Sequence, residues 1–290
     1  MKTKKVWIPI FLAPAVILFL LIYAVPLVMV FVTSLCEYRL SSDHMQFIGL
    51  QNYITLFHDA NFRQALANTV IWILIHCTVH VGLGVFIALI LYKKPRGWKF
   101  VRTAYMVPSI ISNAAMATIF VNIFNPQFGV VNSILTKLGL ENLTHNWLME
   151  TSTAFPSVTM IWTLFAGYTT TLVLAEALTV NESVIEAARV DGASNFQIDV
   201  LIMLPLLRKI IGTTMVMAAT YMLQMFDLIY ITTNGGPGRA TTNLPLLLYG
   251  TFMSENNYGY ANTIGVMIIV LGTIAMVIIN KTLKVGQEDY

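Results

Sequence analysis

The sequence predicts an all-α integral membrane protein with six transmembrane helices, on three observations. Of its 290 residues 57% are hydrophobic and 11% charged, whereas a soluble domain carries about 25% charged residues; mean hydropathy is +0.71. The apolar residues come in blocks: 6–36, 65–92, 103–136, 151–175, 210–226 and 256–280 contain no Asp, Glu, Lys or Arg. Lys and Arg gather in alternate connections between those blocks. A soluble enzyme could not solvate its surface with so few charges. Cys36 and Cys77 are too few for a disulfide framework, no Cys/His cluster outside the blocks suggests zinc, and a net charge of +3 is too small to imply nucleic acid.

A spanning helix needs about 20 apolar residues, because the hydrocarbon core is roughly 30 Å thick. The first block gives a span over about 7–34. Lys2, Lys4 and Lys5 before it resemble a signal peptide, but the run exceeds a signal's h-region and lacks a convincing cleavage site, so an uncleaved helix is expected. The second span covers about 66–92. The third block is too long for one crossing; Pro126 and Gly129 place its end near Phe124, giving about 103–124. The fourth is expected at about 155–178. The fifth, about 205–227, reaches back to Pro205 if Arg208 and Lys209 snorkel to the headgroups, with the proline in the first turn, where its missing N–H costs little. The sixth covers about 260–281. With both termini inside, thirteen Lys and Arg, from Lys2, Lys4 and Lys5 through Lys93 to Lys284, face the cytoplasm, and four (Arg39, Arg63, Lys137 and Arg239) face outward. That bias sets the orientation.

The outer connections, about 37–67, 125–154 and 227–260, are long and nearly uncharged. The first inner one, Lys93 to Arg102, is short and basic and serves topology. The second, about 179–204, reads as helix–Gly–helix. Asn181 is a fitting N-cap, Glu182 and Glu186 suit the positive end of a helix dipole, and Val184, Ile185 and Ala188 make an apolar stripe. Gly192 supplies the positive φ that ends the helix, and a second short helix runs from Ser194 to about Leu201.

At these residues the chain resembles the membrane permease subunits of binding-protein-dependent ATP-binding-cassette importers. Glu186-Ala187-Ala188, Gly192 and Ile202-Met203-Leu204-Pro205 reproduce the family's EAA–G–I-x-LP signature at its spacing and position. Phe47 to Tyr53 (FIGLQNY), Ala67-Asn68-Thr69, Phe128-Gly129-Val130-Val131-Asn132, Asp191-Gly192-Ala193, Phe226-Asp227 and Thr233-Asn234-Gly235-Gly236-Pro237 resemble the carbohydrate branch, the maltose- and glycerol-phosphate-type sugar permeases.

The resemblance implies a single permease domain forming half of a translocation pathway for a sugar or oligosaccharide in a bacterial or archaeal cytoplasmic membrane. The implied partners are a second homologous permease in a heterodimer, two ATP-binding subunits and an extracytoplasmic solute-binding protein. It also makes the short inner-loop helix a cytoplasmic coupling helix between the fourth and fifth spans, with Glu186, Ala187, Ala188, Arg189, Asp191 and Gly192 at the ATPase interface. Ala187, Ala188 and Gly192 would admit close backbones, Glu186 and Arg189 ion pairs, and Asp191 would cap the second helix. The chain has no GxxxxGK[ST] phosphate loop, so no cofactor is expected on it. ATP, Mg and hydrolysis belong to the ATPase subunit, and the chain itself is not expected to be an enzyme.

In this family spans four to six line the cavity, which selects Trp162, Phe165 and Tyr168 at i, i+3 and i+6 on the fourth span, and Tyr221, Gln224, Met225 and Asp227 on the fifth. Each aromatic is equally readable as helix packing; Gln224 is favoured because a polar group in hydrocarbon needs a partner. His76 and His80 share a face of the second span, but two histidines without a carboxylate do not complete a zinc site, so no metal is expected and the pair reads as neutral and bonded to a neighbouring helix. The alternatives are the same fold for glycerol phosphate or another small polar solute, and a six-span secondary transporter. An anionic solute would call for Arg or Lys deep in the spans, and a proton-coupled carrier for Asp, Glu or Lys there; the deep parts of spans two to six hold none.

Overall fold

A computed structural model describes residues 3–39 and 45–283, with side chains from residue 11 onward; Lys2 and Lys284 of the charge count lie outside the described residues. Among the described residues, four helices are long and apolar enough to cross a bilayer: Phe11–Ser34, Ala60–Tyr92, Ala154–Ala177 and Tyr258–Leu283. Two bent pairs have the same potential. Trp98–Ile110 and Asn113–Ile123 meet at 99°, and Asn195–Leu206 and Arg208–Gln224 at 69°.

The bends depart from the expected straight spans, and each has a local cause. Pro108 lies inside the helix ending at Ile110, where a prolyl ring weakens the ladder. Ser112 then caps the next helix, its side chain accepting from the Ala115 N–H. Pro205 does not open the fifth span. It belongs to the preceding helix Asn195–Leu206, and the chain turns at Leu207 before Arg208 starts the long helix. The outer stretch expected as loop over 227–260 contains two further helices, Asp227–Thr232 and Leu244–Met253.

Two compact units divide the chain, Met1–Arg63 with Leu247–Val270 and Gln64–Leu246 with Leu271–Tyr290. In the first, Phe11–Ser34 buries none of its apolar window, as befits a helix solvated by lipid rather than by a protein core. Its outer end is held by residues of the FIGLQNY motif. Asn52 Nδ2 donates to the carbonyls of Ser34 and Cys36 at 2.9 Å each, and Tyr53 Oη bonds Ser34 Oγ at 2.8 Å.

The second unit is built on the packing of Val81, Val85, Ala88 and Leu89 against Val173, Leu174 and Ala177, extended by Ile185, Ile198, Met203 and Leu207 from the inner loop. Gly84 permits that packing, since a Cβ there would lie 2.6 Å from Thr169 Cγ2; small residues let membrane helices approach closely. Asn68 reaches the turn just beyond the Thr233–Pro237 motif, 172 and 174 residues away. Its Nδ2 donates to the carbonyls of Ala240 and Thr242 at 3.0 and 2.8 Å, while Thr69 Oγ1 accepts from the Leu244 N–H at 3.0 Å. Replacing Asn68 by Ala or Asp strands those two carbonyls, at about 1–3 kcal/mol for each group left unpaired. Thermal unfolding of the purified chain is expected to show both variants clearly destabilised.

In the outer stretch after the third span, Asn132 is the hub: its Nδ2 donates to His145 O at 2.9 Å and its Oδ1 accepts from Trp147 Nε1 at 2.7 Å. Glu150 closes the same turn, accepting from the Asn146 N–H at 2.6 Å and bonding His145 Nδ1 at 2.7 Å. The Asn146 N–H, followed by the His145 bond, holds the Glu150 carboxyl below its usual range. A depressed folded pKa means that the contribution is complete above the unfolded value, about 4.3, and is lost as pH falls through the folded one. Amide exchange in residues 144–150 is therefore expected to accelerate below about pH 4, and Glu150→Gln to abolish that pH dependence.

Candidate functional site

The connection over 179–204, expected as the second inner loop, folds as a tightly capped helix–Gly–helix. The first helix runs Glu182–Val190, with Asn181 Oδ1 accepting from the Ser183 N–H at 3.1 Å. It ends in a Schellman motif: Ala193 N–H donates to Ala188 O at 2.9 Å and Gly192 N–H to Arg189 O at 3.0 Å, with Gly192 at φ +84°. Such an end calls for a left-handed residue, which glycine adopts without penalty. The second helix is capped by Ser194, not by Asp191. Ser194 and Gln197 form a reciprocal capping box, and Asp191 is the C-cap of the first helix.

Of the expected apolar stripe only Ile185 is buried; Ala188 is half-buried and Val184 is exposed. Glu186, Ala187, Arg189, Asp191 and Gly192 are exposed together, and a Cβ on Gly192 would meet open space. Val190 and Phe196, 87% and 75% exposed, add apolar surface beside them. The basic first inner loop does more than set topology: Lys93 Nζ pairs with Asp199 Oδ2 at 2.5 Å and so ties the second helix to the end of Ala60–Tyr92.

A cavity of about 350 Å3 lies within the second unit, inside the range of small-molecule sites. Two breaks in helices shape it. The bend at Ile111–Ser112 brings Pro108, Ser109 and Asn113 to its wall, and Tyr221 Oη fixes that bend by donating to Asn113 Oδ1 at 2.7 Å. The second break interrupts the fourth span between Thr163 and Gly167. An interrupted helix leaves carbonyls that need donors in a membrane, and other helices supply them. His80 Nδ1 sits 3.2 Å from both Trp162 O and Thr163 O, and Tyr105 Oη donates to Leu164 O at 2.5 Å. Because carbonyls only accept, that His80 nitrogen carries the proton.

The cavity brings together Trp162, Phe165, Tyr168 and Tyr221 of the expected pathway residues. Gln224, Met225 and Asp227 are not on its wall. Gln224 and Asp227 are exposed at the helix ends on either side of the turn. Met225 is core: 2% exposed, with its carbonyl accepting from Asn243 Nδ2 at 2.6 Å. His76 and His80, expected to bond a neighbouring helix as His80 does, both border the cavity, and no group of three His, Cys, Asp or Glu among the described residues is arranged to hold a metal ion. Ser109, Asn113 and Met116 were not expected on the wall; the local signal is Pro108 followed by Ser109, Ser112 and Asn113, four helix-breaking or polar residues within six. Among the described residues, no Asp, Glu, Lys or Arg lines the cavity.

The chain is 34% identical over 284 residues to the probable ABC transporter permease protein YurN of Bacillus subtilis, covering 97% of each chain. It is 30% identical over 227 residues to the trehalose/maltose transport system permease protein MalF of Thermococcus litoralis, covering 78% of this chain and 76% of that one. Among solved structures, a chain of a bacterial alginate ABC transporter in complex with an alginate pentasaccharide-bound periplasmic protein shares the fold, with a TM-score of 0.85, 23% identity and 98% of each chain covered. Residues 80–281 match the model of the binding-protein-dependent transport system inner membrane component. That stretch holds the capped inner loop and nearly all of the cavity wall, and the chain belongs to this family of multi-pass membrane transport proteins.

Proposed function

We propose that this chain forms half of the translocation pathway of an ATP-driven importer for a neutral sugar or oligosaccharide. The observation that carries the reading is the cavity: aromatic faces and polar groups, with no Asp, Glu, Lys or Arg on its wall among the described residues, inside a member of the binding-protein-dependent family. Apolar rings with a few convergent neutral polar groups suit a sugar, whose C–H faces stack and whose hydroxyls bond. The relative from Thermococcus litoralis is named for trehalose and maltose, which supports the same solute class.

Each bent pair is one crossing in this reading, giving six spans and both termini in the cytoplasm. The capped inner loop is the coupling element. Its exposed face of Glu186, Ala187, Arg189, Asp191 and Gly192, with Val190 and Phe196, docks on an ATP-binding subunit that holds ATP and Mg, and this chain carries neither. A second, homologous permease and an extracytoplasmic binding protein complete the assembly. The test is reconstitution of the chain with those partners in nanodiscs, with ATPase activity and solute uptake read against a panel of mono- and oligosaccharides. Stimulation of ATP hydrolysis by one sugar is the expected result. Uptake driven by a proton or sodium gradient in the absence of any ATPase would overturn the reading.

A further inference from the structure

We infer that His76 and Trp162 together form a hydrogen-bonding station for a hydroxyl of the solute, so that the second span reads the solute alongside the fourth. The inference deepens the importer reading and rests on it.

Two buried polar atoms have no hydrogen-bond partner among the described residues, His76 Nδ1 and Trp162 Nε1. Their residues are only 4% and 6% exposed, both border the same cavity, and their rings lie 4.9 Å apart. A buried polar group left unpaired costs about 1–3 kcal/mol, so two at one cavity wall are a standing cost that a ligand would remove. Their neighbours are not in this state. His80 Nδ1 faces two carbonyls, Tyr221 Oη donates to Asn113 and Tyr168 Oη to Met217 Sδ. The histidines thus differ: His80 meets the carbonyls of Trp162 and Thr163, and His76 borders the cavity with its Nδ1 buried and unpaired among the described residues.

The local backbone agrees. His76–His80 is a π-helical turn inside an otherwise α-helical stretch, a distortion frequent at functional sites and shared here with Leu20–Ala24 and Ile198–Met203. The two orphan atoms also specify the ligand's chemistry. An indole N–H only donates, while an imidazole nitrogen donates or accepts according to tautomer. A hydroxyl both accepts and donates, so one hydroxyl, or two on adjacent carbons, satisfies the pair. A carboxylate or sulfonate would accept from Trp162 but would be desolvated against a wall without a cation.

The test uses the whole importer in nanodiscs, with 15N-labelled tryptophan in this chain and maltose, trehalose, diacetylchitobiose and anionic digalacturonate as probes. The wild type comes first: if no probe stimulates ATPase or is taken up, the importer reading for sugars has failed, and this inference with it. If a neutral probe is taken up, Trp162→Phe and His76→Leu are each expected to lower its uptake about tenfold, the worth of one hydrogen bond. The double variant should lose little more than either single one, and His76→Asn should recover part of the loss. The indole N–H resonance that disappears in Trp162→Phe should move when that sugar is present and stay still with digalacturonate. A resonance unmoved by an imported sugar would overturn the inference while leaving the importer reading intact, as would single variants that import like the wild type. The resonance is read on wild-type protein, so misfolding of a variant cannot decide the question.

Discussion

Gly192→Val is expected to uncouple the assembled importer while leaving the chain folded. Gly192 holds φ +84° at the end of Glu182–Val190, and a side chain with a Cβ pays about 1–2 kcal/mol in that region. A β-branched one is a genuine outlier there. The Cβ itself meets nothing within 4 Å, so the cost falls on the shape of the turn and not on the core. A penalty of that size lowers the equilibrium constant for closing the loop about 5- to 30-fold, so sugar-stimulated ATPase should fall while Tm drops by only a few degrees. Gly192→Asn separates the causes, because asparagine tolerates the left-handed region. Near-normal coupling in Gly192→Asn shows that the backbone turn is what matters. Loss equal to that of valine shows instead that any side chain obstructs the docked partner, and full activity in Gly192→Val would remove the loop from the coupling path.

The inner loop was legible in the sequence because its determinants are local. Asn181 and Gly192 each act within a few residues through backbone geometry, and both sit where their residue types predict. Asp191 misled for the same reason: it and Ser194 are both competent caps, and Gln197 three residues beyond Ser194 decides for the capping box. The cavity was only half legible. Trp162, Phe165 and Tyr168 could be grouped by helical spacing, but the grouping assumed an unbroken helix. The actual span is interrupted at Phe165, and its freed carbonyls depend on His80 and Tyr105, which lie far away in sequence. No periodicity reports such a long-range donor. Gln224 was favoured on the argument that a polar side chain in hydrocarbon needs a partner, but that argument fixes a need and not a direction. The Asn68 contact with the 240–244 turn has the same character: Asn68 stood out in the sequence, and only the fold shows that it serves a turn just beyond the Thr233–Pro237 motif.

The broken Ala154–Ala177 helix also leads to a prediction that joins folding to uptake, Gly167→Ala. A Cβ at Gly167 would lie 2.3 Å from Tyr105 O, 2.9 Å from Ser109 Oγ and 3.0 Å from Met106 Cα. Two of those atoms are backbone, so no rotamer change relieves the overlap and the helix Trp98–Ile110 must move bodily. Overpacking of this kind costs about 1–3 kcal/mol and sometimes more, which corresponds to a fall in Tm of roughly 2–4 °C for each kcal/mol in a chain of this size class. Gly250→Ala is the control: it sits in the helix Leu244–Met253 with open space at its Cβ, and there alanine should be neutral or slightly stabilising. The displacement has a second consequence. Tyr105 Oη donates to Leu164 O and Ser109 lies on the cavity wall, so moving their helix strips a donor from the broken span and shifts the wall that faces Phe165. Gly167→Ala should therefore lose sugar uptake even at temperatures where it remains folded. Tyr105→Phe, which removes only the hydroxyl at about 1 kcal/mol, should reproduce part of that loss with a smaller fall in Tm. If Gly167→Ala matched Gly250→Ala in both unfolding and uptake, the close approach of these two spans, and with it the account of how the broken helix is held open, would be wrong.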